Sequence, residues 1–259
     1  MSLMSKQEII KSKNGYDIHC VITEPMDTEI HPCMILLHGT CSDKNEVGNA
    51  YVYLANQLAI NGYKVIRFDF IGSGDSDVDY VNYSMEYAVN DTHDVINYAL
   101  NTGCKDIGLI GWSQGGTLAL LSSNSHISKV ITLAGALDYT GLATQEMLKE
   151  AKENGYAIYD PGFKAPVKFS LKWINEALNT DFLEIYSKKN LPTLAIHGLE
   201  DDVVDPKCAK EIVDASNHVD SRVVYLKDCD HTFNTLTHEY QYFKLVSDEI
   251  INWLKNTRS

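Results

Sequence analysis

Short runs of consecutive apolar residues recur along the 259-residue chain and alternate with longer amphipathic stretches. Such continuous runs are typical of strands buried on both faces, as in a parallel sheet. They predict strands at 33–37, 65–70, 107–110, 130–134, 193–196 and 223–226. An N-terminal hairpin is also predicted, because segments 8–11 and 16–23 flank Asn14-Gly15, a strong turn pair.

The amphipathic stretches between these runs predict helices at 51–61, 84–100, 117–123, 206–215 and 240–255. Gly62 follows the first of them and is a good helix stop. Strands and helices in alternation imply right-handed βαβ units around one sheet. The sequence therefore predicts an α/β fold, with a mostly parallel central sheet flanked by helices.

Residues 136–190 break this rhythm, because they contain no buried strand run. They are rich in aromatic side chains, which suit either ordinary packing or an apolar substrate pocket. We interpret 136–190 as a lid or cap insertion over the carboxyl edge of the sheet, between core segments 6–135 and 191–259. Residues 1–5 are interpreted as the start of the chain with a tag remnant and are left out of the fold argument.

Charge and cysteine usage narrow the classes of partner and compartment. The formal net charge of −13 disfavours nucleic acid and anionic lipid surfaces. The six cysteines are scattered without a C-x-x-C pair, which favours reduced thiols and a cytoplasmic protein. Residues 1–15 lack the apolar core of a signal peptide, and no apolar run reaches the roughly 18 residues of a membrane helix.

Ser113 is the candidate nucleophile. It is the serine of Gly111-Trp112-Ser113-Gln114-Gly115, a G-x-S-x-G pattern that follows one predicted strand and precedes a helical stretch. This context is what a nucleophile elbow requires: a strained turn that exposes the hydroxyl, with small residues where strand and helix approach closely. A Gly/Ser turn without chemistry is the alternative.

A serine hydroxyl needs a base, and the base needs a carboxylate to orient it. His231 follows the last predicted strand and is the candidate base; His218 and His238 are less well placed. Asp201, just after the strand that ends near His197, is the candidate acid, with Asp202 and Asp138 as alternatives. The order serine, aspartate, histidine along the chain is the α/β-hydrolase order.

Two backbone N–H groups are expected to form an oxyanion hole. Gln114 follows the nucleophile, and Thr40 follows His38-Gly39 at the end of another predicted strand. Losing one such donor typically costs about 10²–10³ in rate. We interpret His38 as a structural residue of this loop rather than a catalyst.

Signals for metals and cofactors are weak. Asp75, Asp77, Asp79 and Glu86 mimic the spacing of a calcium loop, but Tyr80 stands where the sharp turn needs glycine. No dinucleotide fingerprint or zinc motif is present in the sequence. We therefore predict no cofactor and no metal.

Several short motifs together resemble the α/β-hydrolase superfamily, and in particular small bacterial carboxylesterases of the cinnamoyl or feruloyl esterase type. They are His38-Gly39-Thr40, Asp69-x-x-Gly72-x-Gly74-x-Ser76, the Ser113 elbow, His197-Gly198-x-x-Asp201 and Asp230-His231-Thr232-Phe233. Thr40 and Trp112 depart from the residues common in that family. The resemblance implies the catalytic and oxyanion roles given above, and an insertion that serves as a lid over the acyl pocket.

The sequence thus predicts a serine hydrolase that cleaves carboxylic esters, including hydroxycinnamoyl, feruloyl or short acyl esters, through an acyl-enzyme. Alternatives are a monoacylglycerol lipase, a thioesterase, a small-peptide hydrolase, or a ligand-binding protein of the same fold without turnover. The expected partner is a small-molecule ester, with neither nucleic acid nor membrane insertion, and a homodimer is left open.

Overall fold

The computed structural model describes residues 2–237 and 240–257. Eight strands form one sheet in the order β1-β2-β4-β3-β5-β6-β9-β10. Their bounds are β1 Leu3–Lys11, β2 Asp17–Pro25, β3 Cys33–Leu37, β4 Lys64–Phe68, β5 Ile107–Trp112, β6 Ile127–Leu133, β9 Thr193–Gly198 and β10 Arg222–Leu226. β4, β3, β5, β6, β9 and β10 are parallel, whereas β2 is antiparallel to both of its neighbours.

Helices cover both faces of this sheet. Their bounds are α1 Ala50–Ile60, α2 Met85–Asn101, α3 Gln114–Ser122, α4 Gln145–Asn154, α5 Leu171–Asn179, α6 Phe182–Ser187, α7 Lys207–Ser216 and α8 Gln241–Asn256. The buried residues form two apolar clusters, the larger containing α2, α3 and the 136–190 segment and the smaller containing α1 and α8. The predicted α/β fold is confirmed, since β3, β5, β6 and β9 are almost entirely buried, as their uninterrupted apolar runs require.

The N-terminal hairpin is longer than predicted. β1 begins at Leu3, which pairs with Pro25. Residues 3–5 therefore belong to the sheet, contrary to their interpretation as part of a tag remnant outside the fold. Most side chains of β1 are exposed, because this strand lies at the edge of the sheet. Exposure removes the apolar signal by which the buried strands were found.

Residues 136–190 hold α4, α5, α6 and a separate two-stranded antiparallel sheet, β7 Tyr156–Tyr159 with β8 Val167–Ser170. The apolar pattern of the sequence does not predict these two strands, which have four residues each and are only partly buried. Tyr139, Phe169 and Trp173 are at most 2% exposed and belong to the larger apolar cluster. For these three rings, ordinary packing is therefore the correct interpretation.

The parallel strands all end at one edge of the sheet, which is where a site assembled from strand-end loops must lie. Leu37, Trp112, Gly198 and Leu226 are the last residues of β3, β5, β9 and β10. The loops that carry Thr40, Ser113, Asp201 and His231 follow directly. In the described residues, no helix has the length and apolar character needed to cross a membrane.

Candidate active site

Ser113 sits between β5 and α3 in a conformation that non-glycine residues rarely adopt, with φ 53° and ψ −120°. The turn is fixed by backbone hydrogen bonds, because Ser113 N–H donates to Leu133 O at 2.9 Å and Ala136 N–H donates to Ser113 O at 3.1 Å. The side chain is partly exposed between buried neighbours. The strand, strained turn and helix predicted for a nucleophile elbow are therefore present at Ser113.

Glycine is required where this turn is tightest. A Cβ on Gly111 would lie 2.0 Å from Gly115 O, and a Cβ on Gly115 would lie 2.0 Å from Leu37 O. Heavy atoms cannot approach so closely without displacing the backbone. The two glycines thus let β5, α3 and the end of β3 meet at the nucleophile.

His231 lies in the loop after β10, and three hydrogen bonds inside the loop hold its shape. Asp230 Oδ1 accepts the backbone N–H groups of Thr232 at 2.8 Å and Asn234 at 2.9 Å, and Asn234 Oδ1 accepts Asp230 N–H at 3.0 Å. Asp230 therefore shapes the loop with its side chain. A Cβ on Gly198 would lie 2.1 Å from Cys229 O, so glycine at the end of β9 allows this loop to pack against that strand.

The structure brings Asp201 and His231 together. His231 Nδ1 and Asp201 Oδ2 are 2.8 Å apart, and the Asp201 side chain is fully buried whereas the His231 side chain is 16% exposed. A carboxylate only accepts, so Nδ1 carries the hydrogen and Nε2 keeps the lone pair that a general base needs. Asp202 is exposed, and Asp138 lies in another exposed loop, where it accepts Thr140 N–H.

Three further donors converge on Asp201. Its Oδ1 accepts the backbone N–H groups of Val203 at 2.9 Å and Val204 at 2.8 Å, and His197 Nε2 lies 2.9 Å from Oδ2. Burial of the Asp201 carboxyl opposes its ionisation, but the hydrogen bonds from His197, His231 and Val204 hold its pKa below the usual range. A carboxylate in this setting is charged and fixed in direction.

His197 belongs to the site, although the sequence did not predict it among the catalytic or oxyanion residues. It is the fifth residue of β9, fully buried, and reads as part of a buried strand. The available signal was its spacing: His197 and Asp201 are four residues apart, across a turn that contains Gly198.

Trp112 links the nucleophile to the histidine loop. Its indole Nε1–H donates to His231 O at 3.1 Å, and its ring stacks on Phe243 with centroids 5.4 Å apart. The residue before Ser113 is thus hydrogen-bonded directly to the backbone of the candidate base.

Within the described part of the chain, Ser113 Oγ and His231 Nε2 are not hydrogen-bonded to each other. Such catalytic contacts are often long until substrate is bound.

The loop that carries Thr40 lies against the nucleophile. A Cβ on Gly39 would be 3.3 Å from Ser113 Cβ, so glycine permits this approach. Glu46 holds the loop, because its carboxylate accepts Gly39 N–H and, at 2.8 Å, the Ser42 hydroxyl. The backbone N–H groups of Thr40 and of Gln114, the first residue of α3, make no hydrogen bond among the described residues and remain available as donors.

His38 is buried and structural in its contacts. Its Nε2 accepts Phe70 N–H at 3.2 Å, and its Nδ1 lies 2.9 Å from Gly39 O.

No group of three or more His, Cys, Asp or Glu side chains is arranged for a metal ion in residues 2–237 and 240–257. Asp75 of the acidic run instead pairs with Lys44 at 2.6 Å. His238, one of the alternative bases, lies outside the described residues.

Comparisons with known proteins agree with this architecture. A family model for the alpha/beta hydrolase fold matches residues 32–154. The mitochondrial palmitoyl-protein thioesterase ABHD10 of Rattus norvegicus is 26% identical over 215 residues, which cover 78% of this chain and 69% of the relative.

Solved structures with a similar fold superpose on nearly the whole chain. Est1E from Butyrivibrio proteoclasticus, solved with bound ferulic acid, superposes with a TM-score of 0.79 at 19% identity, covering 95% of this chain and 97% of the other. An esterase domain from Rhodothermus marinus superposes with a TM-score of 0.72 at 20% identity, covering 98% of each chain. These likenesses confirm the α/β fold predicted from the sequence.

Proposed function

We propose that this chain, which belongs to the α/β-hydrolase superfamily, hydrolyses carboxylic esters through an acyl-enzyme formed on Ser113. The observation that carries the proposal is the arrangement around His231. Its Nδ1 is bonded to the buried Asp201 carboxylate at 2.8 Å, and its backbone oxygen accepts the indole N–H of Trp112, the residue before Ser113. Serine, histidine and aspartate in this arrangement are the parts of acyl-transfer chemistry.

In the proposed mechanism, Ser113 Oγ attacks the ester carbonyl while His231 Nε2 takes the hydroxyl proton. The Thr40 and Gln114 N–H groups stabilise the oxyanion of the tetrahedral intermediate. His231 then returns the proton to the leaving alcohol, and water releases the acid by the same route. Asp201 stays ionised throughout and stabilises the imidazolium.

We also propose that the 136–190 segment borders the substrate pocket as a cap. The support is contact: Phe169 of β8 lies 6.0 Å between ring centroids from Tyr80, and Ser170 Oγ donates to Tyr83 O at 3.1 Å. Both tyrosines belong to a loop at the site edge of the sheet, close to Thr40 and Gln114. A feruloyl or short acyl ester is the substrate class we propose first.

Thioester hydrolysis is the second candidate, because the rat relative at 26% identity is a palmitoyl-protein thioesterase. Oxyesters and thioesters use the same attack and the same oxyanion, so the site geometry suits both. A panel that pairs each p-nitrophenyl ester with the matching acyl thioester, from two to sixteen carbons, and that includes methyl ferulate, separates the two candidates by their kcat/KM ratios.

The decisive test of the chemistry is Ser113→Ala. Triad members act as a unit worth about 10⁶ in kcat, so this variant is expected to lose nearly all turnover. A fluorophosphonate probe should label the wild type at Ser113 and leave the variant unlabelled. Ser128→Ala is the matched control, because Ser128 lies at the start of β6, at the opposite edge of the sheet. Folded wild-type protein that forms no adduct on Ser113 would favour a ligand-binding protein instead.

A further inference from the structure

A stacked pair of tyrosines lies between the two loops assigned to the oxyanion hole. The rings of Tyr80 and Tyr83 are nearly parallel, with an interplanar angle of 8° and centroids 5.1 Å apart. Both residues follow the loop after β4, in and next to the short 3₁₀ turn Tyr80–Asn82. Neither tyrosine serves as the nucleophile, the base or the acid in the proposed mechanism.

Tyr83 reaches the residue after the nucleophile. Its hydroxyl donates to Gln114 Oε1 at 2.7 Å, and both side chains are buried, with 3% and 1% of the residue exposed. Burial in a medium of low polarity strengthens such a bond and makes its loss costly. The bond restrains Gln114, whose backbone N–H is one of the two oxyanion donors.

Tyr80 reaches the other oxyanion loop. The Cys41 thiol donates to its hydroxyl oxygen, with the sulfur and oxygen atoms 3.8 Å apart. Cys41 has φ 60°, so it holds the left-handed turn directly after Thr40. A restraint on Cys41, the next residue after Thr40, limits how far this end of the Thr40 loop can move.

The tyrosine pair is itself fixed from behind. A Cβ on Gly72 would lie 2.6 Å from Tyr80 Cα, so this glycine, with φ 76°, lets the loop pack closely. On the other side, Phe169 contacts the Tyr80 ring, and Ser170 Oγ donates to Tyr83 O. These contacts hold the two tyrosine rings in place, so the rings can restrain the loops that they contact.

We infer that Tyr80 and Tyr83 are positioning residues that keep the Thr40 and Gln114 N–H groups aimed at one point, the oxyanion position. This inference rests on the proposed function. Oxyanion donors are effective only when they are preorganised, and small misplacements of such groups are costly in rate. The stacked rings connect the Thr40 loop to the Gln114 loop. These two loops are far apart in sequence, and the backbone between them does not connect them directly.

The test is Tyr83→Phe, which keeps the ring and its stacking and removes only the bond to Gln114. We expect kcat for p-nitrophenyl butyrate to fall about 10-fold, less than the loss of a whole donor, with KM changed by less than about 2-fold. Inhibition by butylboronic acid, which forms a tetrahedral serine adduct with an oxygen at the oxyanion position, should weaken by the same factor as kcat. A merely structural residue would leave that inhibition unchanged.

Tyr186→Phe is the matched control, because Tyr186 is also a buried tyrosine with one hydroxyl bond, to Thr193 at 2.6 Å, and lies at the opposite edge of the sheet. A double-mutant cycle adds a second readout: in a Gln114→Ala background, Tyr83→Phe should change kcat by less than about 2-fold, because its partner is already gone. Tyr80→Phe provides an independent variant if Tyr83→Phe does not fold, with the same expected loss in kcat and in boronic acid affinity.

The inference is overturned if Tyr83→Phe and Tyr80→Phe match Tyr186→Phe in kcat and in boronic acid affinity, or if Tyr83→Phe costs as much in the Gln114→Ala background as in the wild type. These failures differ from failure of the proposed function. If Ser113→Ala keeps its turnover, the proposed function is wrong. If Ser113→Ala is inactive and Tyr83→Phe behaves like the control, only the role of the tyrosines is wrong.

Discussion

Asp201 and Asp91 are both buried aspartates, one in the loop after β9 and the other in α2, and the structure shifts their pKa values in opposite directions. Asp201 receives four hydrogen bonds, two of them from imidazole rings and two from backbone N–H groups. These donors outweigh the cost of burial and keep its pKa low.

Asp91 has fewer and weaker donors. Its Oδ1 accepts the Tyr16 hydroxyl and, at 3.5 Å, the Ser12 hydroxyl, and its Oδ2 accepts Ile71 N–H at 3.0 Å. Its pKa is raised to about 7, because burial, with a smaller contribution from the nearby Asp94 charge, outweighs the Tyr16 and Ile71 hydrogen bonds that lower it. No imidazole lies among the hydrogen-bond donors described for Asp91.

The comparison teaches that burial alone does not set the charge of a carboxyl group. The two residues have the same side chain and nearly the same exposure, 8% for Asp201 and 0% for Asp91. What differs is the set of donors, and the richer set lies where the proposed chemistry needs a fixed negative charge beside an imidazole.

The largest expected effect is that of Asp201→Asn, which removes the negative charge and keeps the shape. We expect kcat/KM for ester hydrolysis to fall by about 10⁴, because the amide favours the wrong tautomer of His231 and cannot stabilise an imidazolium. Steady-state kinetics with p-nitrophenyl butyrate measure this.

Asp202→Asn is the matched control. Asp202 is exposed, so its change should alter kcat/KM by no more than about twofold. A severe loss in Asp202→Asn with a mild loss in Asp201→Asn would exchange the roles of these two residues.

The next effect is that of His197→Phe, which takes one imidazole donor away from Asp201. Asp201 then keeps His231 and the two backbone donors but loses part of its restraint, so we expect kcat/KM to fall about 10- to 100-fold. Urea denaturation should show a loss of about 1.5–3 kcal/mol, the usual contribution of a hydrogen bond to a charged group.

His93→Phe is the control for His197. His93 is a half-buried histidine of α2, and among the residues that the structure describes its ring is hydrogen-bonded only to the Ser122 carbonyl, at 3.1 Å. If both variants lose stability while neither loses activity, His197 supports the fold and has no part in orienting Asp201.

The same residues show how much of the site could be predicted from the sequence. Ser113, Asp201 and His231 are predictable because each follows an apolar strand run, and parallel strands end at one edge. β5 and β9 are buried as their runs predict, whereas β10, before His231, is an edge strand and only partly buried. His197, Glu46 and the tyrosine pair are not, because their partners depend on how particular loops fold back. The short β7 and β8 are missed for a related reason: four-residue strands, only partly buried, carry little periodicity.

Asp91→Asn has the smallest expected effect on turnover, and it tests the other half of the comparison through stability. The pKa of Asp91 is raised in the folded protein, so its stabilising contribution is fully present below about pH 4 and is lost as the pH rises through about 7. The slope from one such group is at most about 1.4 kcal/mol per pH unit. Asparagine does not titrate, so the variant should lack this component.

The measurement is the free energy of unfolding in urea at pH 5, 6, 7 and 8, for the wild type, Asp91→Asn and the control Asp94→Asn. The difference between wild type and Asp91→Asn should change most between pH 5 and 7, in the direction that favours the variant at higher pH, and should level off toward pH 8. Asp94 lies one turn along α2 and accepts Lys13 N–H near the surface. Because its charge adds to the rise in the pKa of Asp91, Asp94→Asn should keep the pH-dependent component and move it to lower pH, whereas Asp91→Asn should lose it. A constant difference for Asp91→Asn would mean that its three donors keep it ionised, as the four donors keep Asp201.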